Sequence, residues 1–311
     1  MTPTVRWPAL VLAAGYGTRL RPLSGVRAKA ALPVAGRTLV LRVLDRLRAA
    51  GITRVVINLH HRAETITGLV GDGSSLGLDV RYSWEPTPLG SGGGPARALP
   101  LLAADRFFVV NADTLADVNL PALAAAHVES AAAATLAATR ADLANYNALM
   151  ADHTGQIIGV VARGTAVGDI PEGARAWHFV GVQAVSAAAF ASVDPTRPSD
   201  TLRQIYPALW TGLPGSVRVF PSEGAFFDVG TPRDYYETVR RVAGAEGHSM
   251  DRGRACTIAQ SARVVESILW DRVTVGEGAH LRHCIVADDV TVPPGVSYDR
   301  CAITRDAVIP F

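Results

Sequence analysis

Apolar and polar positions alternate in blocks along the first part of the chain, and each block has the length of one strand or one helix. The short apolar runs predict buried strands at residues 8–13, 54–59, 78–83 and 107–110. Helical spacing of apolar residues between these runs predicts helices at residues 38–50, 63–70 and 96–102. Strands that alternate with helices indicate an α/β fold whose sheet is mostly parallel, with right-handed crossovers.

The pattern changes between residues 132 and 230, where strand-like segments become more frequent. Strands are predicted at residues 132–139, 146–151, 156–162, 177–185 and 217–220, and helices at 186–191 and 200–211. A last helix is predicted from Pro232 to Val242, and a linker at residues 244–255. Residues 1–243 are therefore expected to form one Rossmann-like domain, a mixed, mostly parallel sheet with helices on both faces.

Residues 256–311 contain an internal repeat. β-Prone positions recur every 17 residues, at Ile258, Val275, Val292 and Ile309. Short strands with turn residues at a fixed period predict a parallel β-helix of about three coils, the last cut short. Stacked coils would bring Cys284 and Cys301 about 4.8 Å apart, within disulfide range, although a ladder of small residues is the preferred interpretation. An open end would expose unpaired strand edges and invite association.

Composition narrows the class of protein. The chain has 311 residues, of which 49% are hydrophobic and 19% charged, as expected of about two folded domains. A net charge of +2 gives no reason to expect nucleic acid or an anionic membrane as partner. No apolar run approaches the ~20 residues of a membrane span, and no secretory signal is seen, so a cytoplasmic protein is expected. The 3 cysteines are expected to be reduced, structural thiols.

The most specific motif is the segment Leu12-Ala-Ala-Gly-Tyr-Gly-Thr-Arg-Leu-Arg-Pro22, which follows the first predicted strand. Its glycines free the backbone to approach a ligand, while Thr18 and Arg19 add a hydroxyl and a guanidinium at the same turn. Exposed N–H groups and arginine both favour anionic oxygens, so the segment predicts a phosphate site. It is neither a Walker A loop nor a complete dinucleotide fingerprint.

Two aspartates also follow predicted strands. Asp113 comes after Val109-Val110-Asn111, and Asp228 precedes Gly230 in a Phe-Phe-Asp-Val-Gly run. Ligands of parallel sheets gather at the carboxyl ends of the strands, and two carboxylates there suit a divalent cation that also binds phosphate oxygens. A turn or helix cap is the alternative role for a single aspartate.

These motifs, together with Lys29 and Pro33-Val34, resemble the signature of the sugar-1-phosphate nucleotidylyltransferases. That family has Gly-x-Gly-Thr-Arg-Leu-x-Pro, then a lysine and Pro-Val. Further matches follow in order at residues 85–94, 111–113, 179–181 and 227–232, so the resemblance covers most of residues 6–243. It implies a nucleotidyltransferase fold of the GT-A-like type, and relatives with similar tails carry a left-handed hexapeptide β-helix.

The resemblance also implies roles for residues. The two Gly-rich elements would bind the nucleotide through Leu12, Ala13, Ala14, Gly15, Gly17, Thr18, Glu85, Gly90, Gly92 and Gly93. Arg19 would act on the β- and γ-phosphates and Lys29 near the α-phosphate, as catalytic residues, with Asp113 and Asp228 holding Mg²⁺. The sugar would be bound by Asn147, Arg163 and Gly181, although the Glu-Lys-Pro motif that the family often carries upstream is missing.

The implied reaction joins a nucleoside triphosphate to a sugar 1-phosphate and releases diphosphate. Guanine is favoured because a Glu85 carboxylate accepts the two donors of its edge. The resemblance adds that the N-acetylmuramate-1-phosphate uridylyltransferases lack an appended β-helix. GTP with mannose 1-phosphate is thus the first hypothesis, and the alternatives are heptose 1-phosphate or UTP with N-acetylmuramate 1-phosphate. A non-catalytic subunit of the same fold is the rival class, and a homodimer is expected.

The pair His60-His61 has no partner at the spacing of a metal site, so it is interpreted as part of a loop or sheet edge.

Overall fold

The computed structural model describes residues 7–248, 250 and 252–311. Their contacts define two compact units. The sheet unit comprises the chain up to Gly15, Val43–His60 and Val70–Phe226, and the coil unit comprises Tyr16–Arg42, His61–Leu69 and Phe227–Phe311. The domain boundaries expected from the sequence stay a prediction.

The regular elements follow one another in the order expected of an α/β chain. Up to Ser130 they are β1 (Ala9–Leu12), β2 (Pro33–Val34), β3 (Arg37–Thr38), α1 (Leu39–Ala49), β4 (Arg54–Leu59), α2 (Ala63–Val70), β5 (Asp79–Trp84), α3 (Gly90–Leu102), β6 (Arg106–Asn111), β7 (Thr114–Ala116) and α4 (Leu120–Ser130). They continue with β8 (Ala134–Arg140), β9 (Ala148–Ala151), β10 (Ile157–Val161), β11 (Arg175–Ser186), α5 (Tyr206–Gly212), β12 (Val217–Pro221), β13 (Phe226–Asp228) and α6 (Pro232–Glu246).

The sheet unit is built on a mixed sheet of 9 strands with the path β10-β9-β11-β6-β1-β4-β5, to which β8 is added beside β11 and β12 beside β8. Strands β5, β4, β1 and β6 are parallel, whereas β11 runs antiparallel to β6, β8 and β9. Its core is apolar on both faces, with Leu10, Phe107 and Val109 fully buried. The mixed α/β sheet with helices therefore agrees with the fold expected from the sequence pattern.

Most predicted elements are present, with shifted ends. Helix α6 continues to Glu246, into the predicted linker, and the predicted helix 200–211 begins as a π-helical turn at Thr201–Ile205. The hairpin β2–β3 and helix α4 were not anticipated. The start of α4 did carry a signal, because the Asn119 side chain accepts a hydrogen bond from the Ala122 amide (3.0 Å) as an N-cap.

The 17-residue repeat of the sequence is the coil period of the structure. Residues 257–310 form β14 (Thr257–Ile258), β15 (Arg263–Val265), β16 (Ile268–Leu269), β17 (Thr274–Val275), β18 (His280–Arg282), β19 (Ile285–Val286), β20 (Thr291–Val292), β21 (Ser297–Asp299), β22 (Cys301–Ile303) and β23 (Val308–Pro310). Three parallel sheets stack these strands, and Ile258 pairs with Val275, which pairs with Val292. The predicted parallel β-helix is confirmed.

The end of the β-helix differs from the prediction. Ile309 does not extend the ladder of Ile258, because β23 turns back and pairs antiparallel with β22, placing Ile309 opposite Ala302. Reversal of the chain supplies partners to the edge of that sheet. The expectation of an open end was therefore wrong for this sheet, whereas β20 and β21 are the last strands of the other two sheets among the described residues.

Cys256, Cys284 and Cys301 are free thiols. Cys284 and Cys301 are buried on successive coils, and their thiols donate to the carbonyls of Arg282 (3.3 Å) and Asp299 (3.3 Å). Burial raises the pKa of both groups, which keeps them protonated. Of the two readings, the ladder of small residues is the one present.

Across the described residues, every helix is too short or too polar to pass through a lipid bilayer.

Candidate active site

Residues 16–34, which we call the signature loop, belong to the coil unit. Gly17 adopts a left-handed conformation (φ 61°) and starts a short 3₁₀ helix at Thr18–Leu20. A Cβ atom at Gly17 would lie 3.1 Å from the Cβ of Ser24. Glycine is thus required for both conformation and space. The turn leaves Thr18 and Arg19 exposed, and an anion can reach them.

Arg19 lies beside the last motif of the chain. A Cβ atom built on Gly230 would be 3.3 Å from Nη1 of Arg19 and 3.0 Å from Oδ2 of Asp234. Gly230 is buried just before Thr231, whose hydroxyl accepts from the Asp234 amide (3.2 Å) and caps helix α6. The absence of a side chain at Gly230 therefore leaves room for the guanidinium of Arg19.

Lys29 lies against the same motif. Its Nζ is 4.0 Å from Oδ1 of Asp228, and the two side chains are only 13% and 34% exposed. Lys29 is therefore a largely buried lysine beside a carboxylate rather than a solvated loop lysine. Within the coil unit the structure brings together Arg19, Lys29 and Asp228, although Lys29 and Asp228 are 199 positions apart in the sequence.

Residues after His60 hold the signature loop through hydrogen bonds that no sequence pattern indicated. Nε2 of His61 donates to the Ser24 carbonyl (2.8 Å), and Nε of Arg62 donates to the Gly25 carbonyl (2.8 Å). The Ala28 amide donates to Oγ1 of Thr65 (3.0 Å). His61 is thus a support of the loop, which agrees with the absence of metal-site spacing in its sequence.

In the sheet unit, Glu85 stands at the centre of a buried hydrogen-bond chain. Glu85 is only 4% exposed. Oε1 accepts from Nδ2 of Asn58 (2.7 Å), and Oε2 accepts from the Leu89 amide (2.7 Å). Oδ1 of Asn58 accepts in turn from the Ala13 amide (2.6 Å). Glu85 therefore fixes the end of β1 and the start of α3 at once.

The second Gly-rich element is helical, whereas the sequence predicted a loop before a helix at 96–102. Helix α3 begins at Gly90, and its glycines face protein atoms rather than open space. A Cβ atom would lie 2.4 Å from Cδ1 of Ile205 at Gly92 and 2.5 Å from the Arg197 carbonyl at Gly93. Packing inside the protein thus accounts for these glycines, and their contact with a nucleotide stays a prediction. Close packing of the helix on residues 197–205 requires them.

Asp113 and Gly181 lie near the end of β6. The Asp113 carboxylate accepts from Oγ1 of Thr114 (3.2 Å) and is half-buried. Gly181 has φ 77°, and a Cβ atom there would be 3.0–3.2 Å from the side chain of Asn111. Strand β11 changes register against β8 at this point. Gly181 therefore makes room for Asn111 at the strand end that leads to Asp113.

The remaining sugar-site candidates lie together elsewhere in the sheet unit. Oδ1 of Asn147 accepts from the Arg163 amide (2.8 Å), and both residues are exposed. This hydrogen bond places Asn147 and Arg163 next to each other. Leu12 is the last residue of β1 in the same unit, and Ala13, Ala14 and Gly15 follow it. The Ala13 amide already donates to Oδ1 of Asn58.

Comparison with known proteins adds to this picture. A family model described as nucleotidyl transferase matches residues 8–163, and one described as GlmU-like, C-terminal hexapeptide matches residues 242–306. An N-acetylmuramate alpha-1-phosphate uridylyltransferase of Neisseria meningitidis serogroup B is 45% identical over 115 residues, which cover 37% of this chain and 50% of the relative. A mannose-1-phosphate guanylyltransferase of Mycobacterium tuberculosis is 29% identical over 230 residues, covering 73% of this chain and 62% of the relative.

The chain therefore spans between 50% and 62% of the length of these two curated relatives. Among solved structures, HddC from Yersinia pseudotuberculosis superimposes with a TM-score of 0.64 at 22% identity, covering 76% of this chain and 99% of that one. This likeness shows a shared fold. Since the first family model matches half of the chain, on the segment that carries the signature motif, the chain belongs to the nucleotidyl transferase family.

Proposed function

We propose that this protein is a sugar-1-phosphate nucleotidylyltransferase, which converts a nucleoside triphosphate and a sugar 1-phosphate into a nucleotide sugar and diphosphate. The observation that carries the proposal is the grouping of Arg19 beside Gly230 and Lys29 at 4.0 Å from Asp228. Two cations and a carboxylate converge there from the first and last motifs of the family resemblance. Such a set binds phosphates and neutralises charge that moves between them.

The chemistry suits residues of these types. An oxygen of the sugar phosphate attacks the α-phosphorus, the bond from that phosphorus to the bridging oxygen breaks, and diphosphate leaves with the electron pair. Because the nucleophile is already an anion, no general base is needed. Arg19 would neutralise the charge that grows on diphosphate. Lys29 would hold the α-phosphate and the incoming phosphate in line, and positioning of this kind is a large part of catalysis at phosphorus.

We propose that Asp113 and Asp228 hold Mg²⁺. In the part of the chain that the structure describes, no three His, Cys, Asp or Glu side chains cluster closely enough to hold a metal. A site of one or two carboxylates fits Mg²⁺, which retains water ligands and binds substrate phosphates, and it fits poorly to zinc. When bound, the ion would supply charge neutralisation at the α-phosphate. Asp113, bonded to Thr114, and Asp228, beside Lys29, would each offer one carboxylate oxygen.

For the base and sugar, our first candidate is GTP with mannose 1-phosphate. Its support is the mannose-1-phosphate guanylyltransferase that matches 73% of the chain. Glu85 gives less support than the sequence suggested, since both of its carboxylate oxygens already accept from Asn58 and Leu89. The second candidate is UTP with N-acetylmuramate 1-phosphate, which the relative of 45% identity favours over a shorter stretch. Asn147, Arg163 and Gly181 stay the proposed sugar contacts.

A diphosphate-release assay tests the proposal. Purified protein is supplied with Mg²⁺ and every pairing of GTP, UTP, dTTP, ATP and CTP with mannose, N-acetylmuramate, heptose and glucose 1-phosphates. We expect turnover with GTP and mannose 1-phosphate above all other pairings. Activity with UTP alone would overturn the guanylyl assignment and keep the class. No turnover with any pairing would make the non-catalytic subunit the better description.

A further inference from the structure

Arg27, two residues before Lys29, joins the signature loop to the β-helix. Its Nε donates to Oδ2 of Asp288 (2.7 Å), and its Nη2 donates to Oδ1 of Asp288 (2.6 Å) and Oδ2 of Asp271 (2.9 Å). The guanidinium carbon also lies 5.2 Å from the ring centre of Trp270. All these residues belong to the coil unit, and the charged side chains are only 12–15% exposed.

The β-helix holds the two acceptors in fixed positions. Asp271 and Asp288 occupy equivalent places on successive coils, 17 residues apart. Oδ1 of Asp271 accepts from the Arg254 amide (2.8 Å), and Oδ1 of Asp288 accepts from the Asp271 amide (2.9 Å). Each carboxylate is thus oriented by the backbone of the coil before it. A rigid pair of carboxylates matches the planar fork of arginine, which lysine cannot imitate.

A second connection reaches the far end of the same loop. Nε1 of Trp270 donates to the Tyr235 hydroxyl (3.1 Å), which donates to the Pro33 carbonyl (2.7 Å). Trp270 and Tyr235 are fully buried. The loop that carries Lys29 is therefore attached to the first coils of the β-helix on both sides of that lysine.

We infer that Arg27 is a positioning residue, through which Asp271 and Asp288 of the β-helix hold Lys29 in place for catalysis. The inference rests on the proposed function. It gives the β-helix a task in the reaction of its own chain. Because this attachment is a charged fork rather than an apolar contact, its loss loosens the segment before Lys29, while Tyr235 still holds Pro33 and the coil unit keeps its apolar core.

The chain provides a matched control. One residue further along each coil, Arg272 pairs with Asp289, with Nη2 and Oδ2 2.9 Å apart. This pair also joins successive coils, but both members lie in the β-helix. Substituting Arg272→Met therefore removes a more exposed arginine–aspartate pair between the same coils and leaves the signature loop attached.

The experiment compares Arg27→Met, Arg27→Lys and Arg272→Met with the wild type, at a temperature where circular dichroism shows all four folded. Hydrogen exchange is measured for peptides within residues 16–34, and kcat and KM are measured for the active substrate pair. We expect Arg27→Met to speed exchange in this loop and to lower kcat/KM about 10- to 100-fold, since small displacements of a catalytic group have effects of this size. Arg27→Lys should lie in between, and Arg272→Met should change neither.

Combining Arg27→Met with Lys29→Met separates positioning from general weakening. If Arg27 acts through Lys29, the double variant is no slower than Lys29→Met alone. The inference would be overturned if the losses of kcat/KM in Arg27→Met and Lys29→Met multiplied in the double variant. It would also be overturned if Arg27→Met kept the wild-type exchange rates and kcat/KM. A wild type that turns over no substrate pair would contradict the proposed function, and exchange in residues 16–34 would still decide whether Arg27 anchors the loop.

Discussion

Glu85 and Asn58 are joined by a buried hydrogen bond of 2.7 Å, and Oδ1 of Asn58 accepts a second hydrogen bond from the Ala13 amide. The other oxygen of Glu85 accepts from the Leu89 amide (2.7 Å). A carboxylate is needed because both of its oxygens must accept, whereas the amide of glutamine offers one acceptor and one donor group. One residue thus couples the two Gly-rich elements that the sequence singled out separately.

We expect Glu85→Gln to lower the free energy of unfolding by about 1–3 kcal/mol, because it places an amide donor against a buried donor. Urea unfolding measures this, with the exposed Glu64→Gln as control. The same variant tests base recognition. If Glu85 only holds β1 and α3 together, Glu85→Gln should leave the ratio of kcat/KM for GTP to that for UTP unchanged. If Glu85 contacts the base, the variant should shift this ratio.

Gly93→Ala and Gly68→Ala should have effects of opposite sign, although both glycines are in helices. A Cβ atom at Gly93 would lie 2.5 Å from the Arg197 carbonyl, whereas at Gly68 nothing lies within 4 Å. We expect Gly93→Ala to cost about 1–3 kcal/mol through overpacking. Gly68→Ala should gain about 0.5–1 kcal/mol from reduced chain entropy. Thermal unfolding of the two variants checks this, and equal shifts would contradict the packing explanation of α3.

The contrast between these glycines shows where sequence reasoning stops. Periodicity predicted most strands of the sheet and the 17-residue coil, because burial imposes the pattern directly on neighbouring residues. The helical start of α3 was not predictable in this way. Gly90–Gly94 are poor helix formers, and the reason for them is the approach of residues 197–205, which are about a hundred positions away.

The same limit applies to the candidate site. Motifs pointed to Arg19, Lys29 and Asp228, which the coil unit does group. Arg27 carried no signal, since its meaning depends on Asp271 and Asp288, and those belong to a repeat that the sequence presented as a separate domain. Glu85 was expected to contact the nucleotide. Its actual partners are the Asn58 side chain and the Leu89 amide, and no sequence pattern reveals either contact.

His127 should make stability depend on pH. Burial, with a smaller effect of Arg106, lowers the pKa of His127 to about 4. Its ring nitrogens lie 2.9 Å from Oγ1 of Thr135 and 3.2 Å from Oγ of Ser186. Unfolded chains bind the proton below about pH 6.5 and the folded protein only below about pH 4. The free energy of unfolding therefore falls as pH drops through this window, by up to about 3 kcal/mol, and levels off below it.

Urea unfolding between pH 4 and pH 7.5 measures this dependence. The variant His127→Asn should lack that part of the slope, whereas His153→Asn, changed at an exposed position, should keep it. An unaltered slope in His127→Asn would show that other groups cause the acid sensitivity.

Asp113→Asn tests the metal role. If the carboxylate holds Mg²⁺ on the α-phosphate, its loss should reduce turnover by about 100-fold or more, because charge stabilisation at phosphorus is removed. Higher Mg²⁺ concentration should restore part of the activity. Asp117→Asn, four residues further on and exposed, is the control and should leave turnover within about twofold of wild type. Wild-type rates in Asp113→Asn at low Mg²⁺ would remove Asp113 from the metal site.

Gly230→Ala tests the place of Arg19 with little disturbance of the fold. The backbone of Gly230 is not in the left-handed region, so alanine is tolerated there, but its Cβ would lie 3.0 Å from Oδ2 of Asp234 and 3.3 Å from Nη1 of Arg19. Both atoms are at the ends of side chains that can shift, so the free energy of unfolding should change by less than about 1 kcal/mol. The displaced charge should raise KM for the nucleoside triphosphate more than KM for the sugar phosphate, since Arg19 is proposed to bind the β- and γ-phosphates. Gly244→Ala, within α6 and with nothing within 4 Å of its Cβ position, should change neither constant. Equal KM values in Gly230→Ala and wild type would mean that Arg19 does not act on the triphosphate.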